Sequence, residues 1–202
     1  MLRIVAGEFR SRRLFSPEDE HSSRPYGARV KESVFNLLRG WFEGSQVLDL
    51  FAGVGTMGLE AISRGATRAL LVERDRDTYE LLRRNIETLG CEDRAEAVNA
   101  DALSAAVLDR APNPVHIVFV DPPYDLMRQS KTRQRVLDQV ERCRRVMSER
   151  GFVVLRSPIT ADGTFHLAGF DGPEEHRYGR EMNVLLYAPG KPAVQPESSS
   201  SK

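Results

Sequence analysis

The most constraining feature of this sequence is a short apolar run that leads directly into closely spaced glycines. Residues 47–50 form the run, Gly53, Gly55 and Gly58 follow, and apolar residues then recur at helical spacing. A strand, a glycine turn and a helix in this order make the first unit of a nucleotide-binding α/β fold. Because glycine has no Cβ, such a turn can be tight and a ligand can approach its backbone closely.

The glycine spacing also fits the fingerprint of dinucleotide-binding proteins, but the acid before it favours another ligand. A dinucleotide places a pyrophosphate at the helix N-terminus, where the carboxylate of Asp49 would repel it. A carboxylate there suits a ligand with an amine and a positive centre, such as the aminoacyl-sulfonium end of S-adenosylmethionine. We therefore expect Asp49, Gly53 and Gly55 to bind S-adenosylmethionine. An NAD-dependent oxidoreductase is the alternative, and it would need a hydride-transfer partner that the sequence does not reveal.

Two later strand ends carry acids that suit the rest of the same cofactor. Residues 69–72 are typical of a second strand, and Glu73 follows it about 20 residues after the first glycine, where acids bind ribose hydroxyls. Asp101 follows a third predicted strand at residues 95–99. It could accept a hydrogen bond from an adenine amino group, or cap the next helix. Asp75 is interpreted only as the N-cap of the helix after Glu73.

A fourth predicted strand delivers an acidic and aromatic loop to the same edge of the sheet. Residues 115–120 are apolar and β-branched, and Asp121, Pro122, Pro123 and Tyr124 follow. The Asp121 carboxylate and the Pro122 carbonyl can both accept from one planar amino group, and the Tyr124 ring offers a face for base stacking. We expect these three residues to be catalytic. A rigid exit loop without chemistry is the other interpretation.

Net charge does not indicate a nucleic-acid partner, because 29 basic and 29 acidic side chains cancel. Local clusters must carry that argument. The first 13 residues include Arg10 and Arg12 among four arginines opposed by one acid, which fits a phosphate-contacting arm or a solvated edge. Residues 126–150 carry eight basic and three acidic side chains, and residues 131–150 have the spacing of one long helix.

The length, the hydropathy and the cysteines of the chain argue against a membrane protein, a metalloprotein and a disulfide-rich protein. The chain of 202 residues suffices for one α/β domain, and no window approaches a membrane span. Cys91 and Cys143 have neither metal-ligand nor disulfide spacing, so we expect no metal and a reducing, cytoplasmic environment. No sustained heptad is present, and we expect a monomer.

These motifs resemble the class I S-adenosylmethionine-dependent methyltransferases that methylate amino groups. More closely, the sequence resembles the RsmD family, which methylates N2 of one guanine in small-subunit rRNA. The matching segments are Asp49-Leu-Phe-Ala-Gly53-x-Gly55, Glu73, Asp101, Asp121-Pro-Pro-Tyr124, Arg3-Ile-Val-Ala-Gly7, Arg24-Pro25, Arg29-Val-Lys-Glu32, Phe35-Asn36, Leu59-Glu-Ala, Ser63-Arg-Gly65 and Tyr178-Gly179.

The resemblance implies a Rossmann-like α/β fold with a mostly parallel seven-stranded sheet, helices on both faces and a small N-terminal extension. We divide the chain into a basic hairpin and lid helix (1–44), a methyltransferase domain (45–188) and a disordered tail (189–202). S-adenosylmethionine is the implied cofactor and rRNA the implied partner, within the small ribosomal subunit, its assembly intermediate or free of both. The substrate-binding candidates are Pro123, Arg10, Arg12 and Arg24.

Alternatives stay open for the substrate. The Asp-Pro-Pro-Tyr tetrad alone would also fit a DNA adenine methyltransferase, although no separate target-recognition domain is evident. A methyltransferase of another RNA and a non-catalytic RNA-binding module are further alternatives. The sequence departs from the family pattern at Tyr26, Ala28 and Arg180, and at Arg156, near which the family usually has an acidic residue. These positions border the expected cofactor lid and substrate face, so the target nucleotide is left open.

Overall fold

The structure is a computed structural model that describes residues 2–17, 28–159 and 165–190. Arg24, Tyr26 and residues 191–202 of the expected tail lie outside the described residues. The helices are α1 Ala28–Leu37, α2 Gly58–Ser63, α3 Arg76–Leu89, α4 Ala106–Arg110, α5 Tyr124–Arg128 and α6 Ser130–Cys143. The strands are β1 Gln46–Asp49, β2 Arg68–Glu73, β3 Ala95–Asn99, β4 Val115–Val120, β5 Met147–Pro158, β6 Phe170–Tyr178 and β7 Met182–Pro189. No helix in these ranges is long and apolar enough to cross a membrane.

The seven strands form one sheet in the order β3-β2-β1-β4-β5-β7-β6. Strands β1 to β5 run parallel, β7 runs antiparallel to β5, and β6 runs antiparallel to β7. This confirms the predicted mostly parallel seven-stranded α/β fold. The strand order reverses between β1 and β4, and ligands of such sheets bind beyond the carboxyl ends of the strands at that point.

Alternate residues of each central strand enter two separate hydrophobic cores. On β1, Val47 packs in the core that also contains residues of α1, α2 and α3, while Leu48 packs in the core of α4, α5 and α6. On β4, Phe119 packs in the first of these cores and Val118 in the second. Because side chains alternate across a strand, a sheet covered by helices on both faces needs apolar residues at every position. This requirement explains the continuous apolar runs in the sequence.

The N-terminal segment, residues 2–17, packs on the first of these cores. Arg3 and Arg13 form an isolated antiparallel bridge, and Ile4, Phe9 and Leu14 are buried beside α1 and α2. The backbone of Glu8 donates to the carbonyl of Ser63, at the end of α2, over 2.7 Å. The segment is therefore joined to the helix that follows the glycine turn.

The prediction of a single helix over residues 131–150 is wrong, because α6 ends at Cys143 and β5 begins at Met147. The N–H of Val115 donates to the carbonyl of Val146 over 2.8 Å, and Met147 pairs with Val115. Pairing with a buried strand thus overrides the local helical pattern. Gly151, which would end such a helix, instead lies within β5 where the register shifts, and a Cβ there would lie 2.3 Å from the carbonyl oxygen of His116.

Candidate active site

A cleft of about 540 Å³ opens beyond the carboxyl ends of β1, β2 and β4. Most of the residues predicted to bind a cofactor or act in catalysis line this cleft, although they come from distant parts of the sequence. They are Asp49, Gly53, Glu73, Asp101, Asp121 and Tyr124, together with the substrate candidate Pro123. The structure therefore brings together the acids at the ends of β1 and β2, the acid after β3 and the acidic-aromatic loop after β4.

The glycines of the turn have different surroundings. Gly53 lines the cleft and has a φ of +55°, and a Cβ built on it would meet no atom within 4 Å. Gly55 has a φ of +91°, and its Cβ would lie 2.6 Å from Leu82 of α3. Gly55 does not line the cleft. Gly53 therefore leaves room for a ligand near the backbone, whereas Gly55 lets α3 pack against the turn.

Asp49 and Glu73 both stabilise the turn while they face the cleft. The backbone N–H of Gly58, at the start of α2, donates to Asp49 Oδ2 over 3.0 Å. Glu73 Oε2 accepts from the N–H of Gly53 over 3.0 Å, and Oε1 accepts from the N–H of Asp75 over 2.8 Å. A carboxylate oxygen has two lone pairs, so each Glu73 oxygen can accept a further hydrogen bond. Both carboxylates are thus held in place and can still bind a ligand.

The two other acids after strand ends behave as helix- and turn-capping residues. Asp75 caps α3 by accepting from the N–H of Thr78 over 2.9 Å, which confirms its predicted role. Asp101 Oδ1 accepts from the N–H of Leu103 over 3.0 Å, in a turn that precedes α4. Asp101 is exposed and lines the cleft.

Two acids of the cleft, Asp49 and Asp121, have a raised pKa and therefore bind a proton more tightly than an ordinary aspartate. Burial raises the pKa of Asp49 to about 7, and the neighbouring charges of Asp121 and Glu73 also raise it, against the hydrogen bond from Gly58. Burial likewise raises the pKa of Asp121 to about 7, against the opposing charge of Arg156. Carboxylates crowded in a desolvated cleft favour a cationic ligand, because a cation restores their charged form.

The acidic-aromatic loop turns directly from β4 into α5. Pro122 is buried, Pro123 is exposed at the cleft, and Tyr124 is the first residue of α5. Arg156 reaches this loop from β5. Its Nε forms an ion pair with Asp121 Oδ1, and its guanidinium carbon lies 5.3 Å from the centroid of the Tyr124 ring.

Arg156 was not among the predicted site residues, although the sequence contains a signal for it. It is a charged residue directly after the apolar run of residues 152–155, and only 7% of its surface is exposed. A charge within a central strand requires a partner, since burying it alone is costly. The sequence does not show that the partner is Asp121.

The two arginines expected to contact the substrate from the N-terminal arm do not line the cleft. Arg10 is exposed, and Arg12 donates from Nη2 to the carbonyl of Thr88 over 2.6 Å. Neither lines the cleft, and Arg24 lies outside the described residues. From the basic stretch 126–150, Arg135 of α6 does line the cleft. Other arginines of that stretch are paired, among them Arg145, whose guanidinium lies 2.9 Å from Asp109.

Comparison with known proteins identifies the family to which this fold and cleft belong. A family model described as "conserved hypothetical protein 95" matches residues 2–187. The chain belongs to this family, the RsmD family. The RsmD-family match includes both the N-terminal segment and the sheet with its cleft.

Named relatives support the same membership in the RsmD family. The Escherichia coli K12 protein "Ribosomal RNA small subunit methyltransferase D" is 43% identical over 123 residues, which are 61% of this chain and 60% of that protein. The Haemophilus influenzae protein of the same name is 40% identical over 126 residues, covering 61% of this chain and 64% of that protein. The matches thus span somewhat less than two thirds of these relatives' length.

A solved structure with the same fold matches nearly the whole chain. The structure titled "Putative methyltransferase yhhF from Escherichia coli" has a TM-score of 0.76 and 30% sequence identity, and the alignment covers 94% of this chain and 98% of that one. The RsmD-family chain therefore has the Rossmann-like fold of class I methyltransferases.

Proposed function

We propose that this protein transfers a methyl group from S-adenosylmethionine to an exocyclic amino group of rRNA, the N2 amine of a guanine. One observation carries the proposal. Three carboxylates of the cleft, those of Asp49, Glu73 and Asp101, suit a cationic nucleoside. They lie in the same cleft as the proline-stiffened loop at Asp121, which suits a base amine. Such an arrangement can hold a methyl donor and a nucleobase side by side.

The residues of the cleft fit S-adenosylmethionine in size and charge. Asp49 and Asp121 are carboxylates whose pKa is raised by burial, and the sulfonium and amino groups would offset that unfavourable burial of negative charge. Glu73 would accept from the ribose hydroxyls, Asp101 from the adenine amine, and the backbone at Gly53 would lie against the ligand. When bound, S-adenosylmethionine supplies a methyl group on positively charged sulfur.

Asp121, Pro122 and Tyr124 would prepare the target amine for the transfer. The lone pair of an exocyclic amine is delocalised into its ring, which makes the nitrogen a poor nucleophile. Acceptance of its two hydrogens by the Asp121 carboxylate and the Pro122 carbonyl would aim that lone pair at the methyl carbon, while Tyr124 stacks on the base. As the new N–C bond forms, the electrons of the broken C–S bond stay on sulfur. The nitrogen then loses a proton to solvent.

The choice of rRNA rests on the relatives, and the choice of guanine N2 on the family resemblance. Both relatives described above are named for the small-subunit rRNA. A base in a folded RNA must leave its stack to enter the cleft. The basic residue Arg135 at the cleft would then lie near the phosphates of the displaced nucleotide.

The proposal is tested by methyl transfer followed by nucleoside analysis. Purified protein is incubated with isotope-labelled S-adenosylmethionine and, separately, naked small-subunit rRNA, an assembly intermediate, the complete subunit and DNA of matching sequence. We expect labelled N2-methylguanosine from at least one RNA sample and no label in DNA. Labelled N6-methyladenosine, label in DNA, or no label in any sample would overturn the corresponding part of the proposal.

A further inference from the structure

Arg156 occupies an unusual position for an arginine, on an interior strand beside the acidic loop. It lies on β5, which pairs with β4 on one side and β7 on the other, and Leu155 pairs with Val120. Arg156 is the next residue of β5, and Asp121 is the residue directly after β4. Only 9% of the Arg156 side chain and 14% of the Asp121 side chain are exposed. Strand register therefore forces the two side chains together.

The contact between these side chains leaves one carboxylate oxygen available. Arg156 Nε faces Asp121 Oδ1. Within the described ranges, no residue donates a hydrogen bond to Oδ2, and Asp121 lines the cleft. A carboxylate has acceptor sites on both oxygens, so a cation on Oδ1 does not prevent a donor from binding Oδ2.

Burial raises the pKa of Asp121 to about 7, and the charge of Arg156 opposes this rise, so Arg156 favours the ionised carboxylate. Four other acids line the same cleft, namely Asp49 at the end of β1, Glu73 at the end of β2, Asp101 after β3 and Asp125 in α5. The titratable phenol of Tyr124 lies at the same cleft, as do two further basic groups, Arg74 and Arg135. Within the described part of the chain, Arg156 is the one cation in ion-pair contact with Asp121.

We propose that Arg156 is a positioning residue for Asp121, which holds Oδ1 so that the carboxylate stays ionised and presents Oδ2 to the substrate amine. This inference rests on the proposed function. A protonated carboxyl carries a donor O–H and no negative charge, so it accepts more weakly from the amine and no longer offsets the positive charge that develops on the nitrogen. Because Arg156 takes Oδ1, the second amine hydrogen must go to another acceptor. In the proposed function, this acceptor is the carbonyl of Pro122, the next residue.

The guanidinium of Arg156 also contacts the aromatic residue of the loop, Tyr124. It lies above the ring of Tyr124, at 5.3 Å from the ring centroid. Arginine stacks on aromatic faces through its planar, delocalised charge, and lysine cannot reproduce that planar contact. Arg156 thus contacts both Asp121, which would accept from the amine, and Tyr124, on which the base would stack.

The inference is tested first without any substrate. The side-chain carboxyl of Asp121 is followed by ¹³C NMR titration, assigned by its absence in Asp121→Asn, in wild type, Arg156→Lys and Arg156→Gln. We expect Asp121 to titrate about one pH unit higher or more in Arg156→Gln, with Arg156→Lys in between. Arg83→Gln, which removes an exposed arginine of α3, is the matched control and should leave the titration unchanged. An unchanged titration in both Arg156 variants would overturn the inference.

The second measurement is the pH dependence of methyl transfer at saturating cofactor and RNA. In Arg156→Gln we expect kcat at neutral pH to fall about tenfold, the acid limb to move to higher pH, and part of the rate to return there. Arg156→Lys should recover more of the rate than Arg156→Gln. A loss of equal size at every pH would show that Arg156 only supports the fold, and would overturn the positioning role.

The two measurements separate failure of this inference from failure of the proposed function. If wild type transfers no methyl group to any RNA, the proposed function fails, while the titration still decides whether Arg156 controls Asp121. If Arg156→Gln does not fold, the titration of Arg156→Lys tests the inference alone. A pKa of Asp121 above the wild-type value in Arg156→Lys supports the inference, and a pKa equal to the wild-type value overturns it.

Discussion

The backbone N–H of Gly53 donates a hydrogen bond of 3.0 Å to the carboxylate of Glu73. This contact joins the glycine turn after β1 to the end of β2. Glu73 therefore has two functions in our interpretation, since it orders the turn and presents its remaining lone pairs to the ribose. Loss of its carboxylate should weaken cofactor binding in both ways.

We expect Glu73→Ala to raise the dissociation constant for S-adenosylmethionine by tenfold or more, because about 1.4 kcal/mol of binding free energy corresponds to tenfold. Isothermal titration calorimetry measures the constant directly. Glu80→Ala, which removes an exposed acid from α3, is the control and should bind like wild type. An unchanged constant in Glu73→Ala would contradict the ribose role.

Asp121→Ala should separate cofactor binding from catalysis. Without the carboxylate, the target amine is no longer oriented, and we expect kcat to fall by about 10²-fold or more while the cofactor still binds. The measurement pairs a single-turnover methyl-transfer assay with calorimetry. Asp138→Ala on α6 is the control for a lost surface acid. Near-normal turnover in Asp121→Ala would remove Asp121 from the mechanism.

Stability should decrease as pH rises from about 4 to about 7, owing to Asp49 and Asp121. The folded pKa of each is raised from 3.8 to about 7, so in this window the folded protein binds more protons than the unfolded chain. Asp49→Asn removes one such group and keeps an oxygen for the Gly58 N–H. We expect its unfolding free energy, from urea titrations, to decline less steeply with pH than that of wild type. A slope equal to that of wild type would argue against a raised Asp49 pKa.

Cofactor binding near pH 7 should release protons. A positively charged ligand beside Asp49 lowers its pKa, so a carboxyl that is partly protonated in the free protein becomes ionised in the complex. Calorimetry in buffers of different ionisation enthalpy should therefore give different apparent binding enthalpies. Asp49→Asn should show a smaller difference, and identical enthalpies for wild type in all buffers would contradict the prediction.

Glu60 should be the main electrostatic link between the N-terminal segment and the domain. It is fully buried on α2, contacts Lys31 at 3.1 Å and Arg64 at 2.9 Å, and accepts from the N–H groups of Val5 and Ala6 at 2.7 and 3.0 Å. Burial lowers the pKa of Lys31, although Glu60 opposes this effect. Removal of one member of a buried ion pair leaves the others without a counter-charge.

We expect Glu60→Gln to lower the free energy of unfolding by about 3–5 kcal/mol. Chemical denaturation measures this loss, and amide hydrogen exchange should show faster exchange at Val5 and Ala6. Glu87→Gln, in an exposed pair with Arg83, should change stability by less than about 1 kcal/mol. Equal effects of the two substitutions would show that the buried network adds nothing beyond a surface ion pair.

Features that depend on neighbouring residues in the chain were predictable from the sequence. The predicted strand at residues 115–120 is β4, and Asp75 caps α3 as predicted. The acids and the acidic-aromatic loop could be placed at one cleft because parallel strands end at the same edge of the sheet. Each of these features is encoded in hydrophobic periodicity, capping residues or glycines within a few positions.

The tertiary structure decided what depends on the register between distant strands. Residues 144–150 leave the helical pattern because β4 offers unpaired backbone groups to the start of β5. Arg156 meets Asp121 only because β4 and β5 pair in one register, and no local pattern states that register. The sequence by itself thus determined the fold class and the groups at the cleft, since short-range preferences specify them. Long-range packing decided which of these groups contact one another and which of the acids have a raised pKa, because contacts between distant residues depend on the whole assembled sheet.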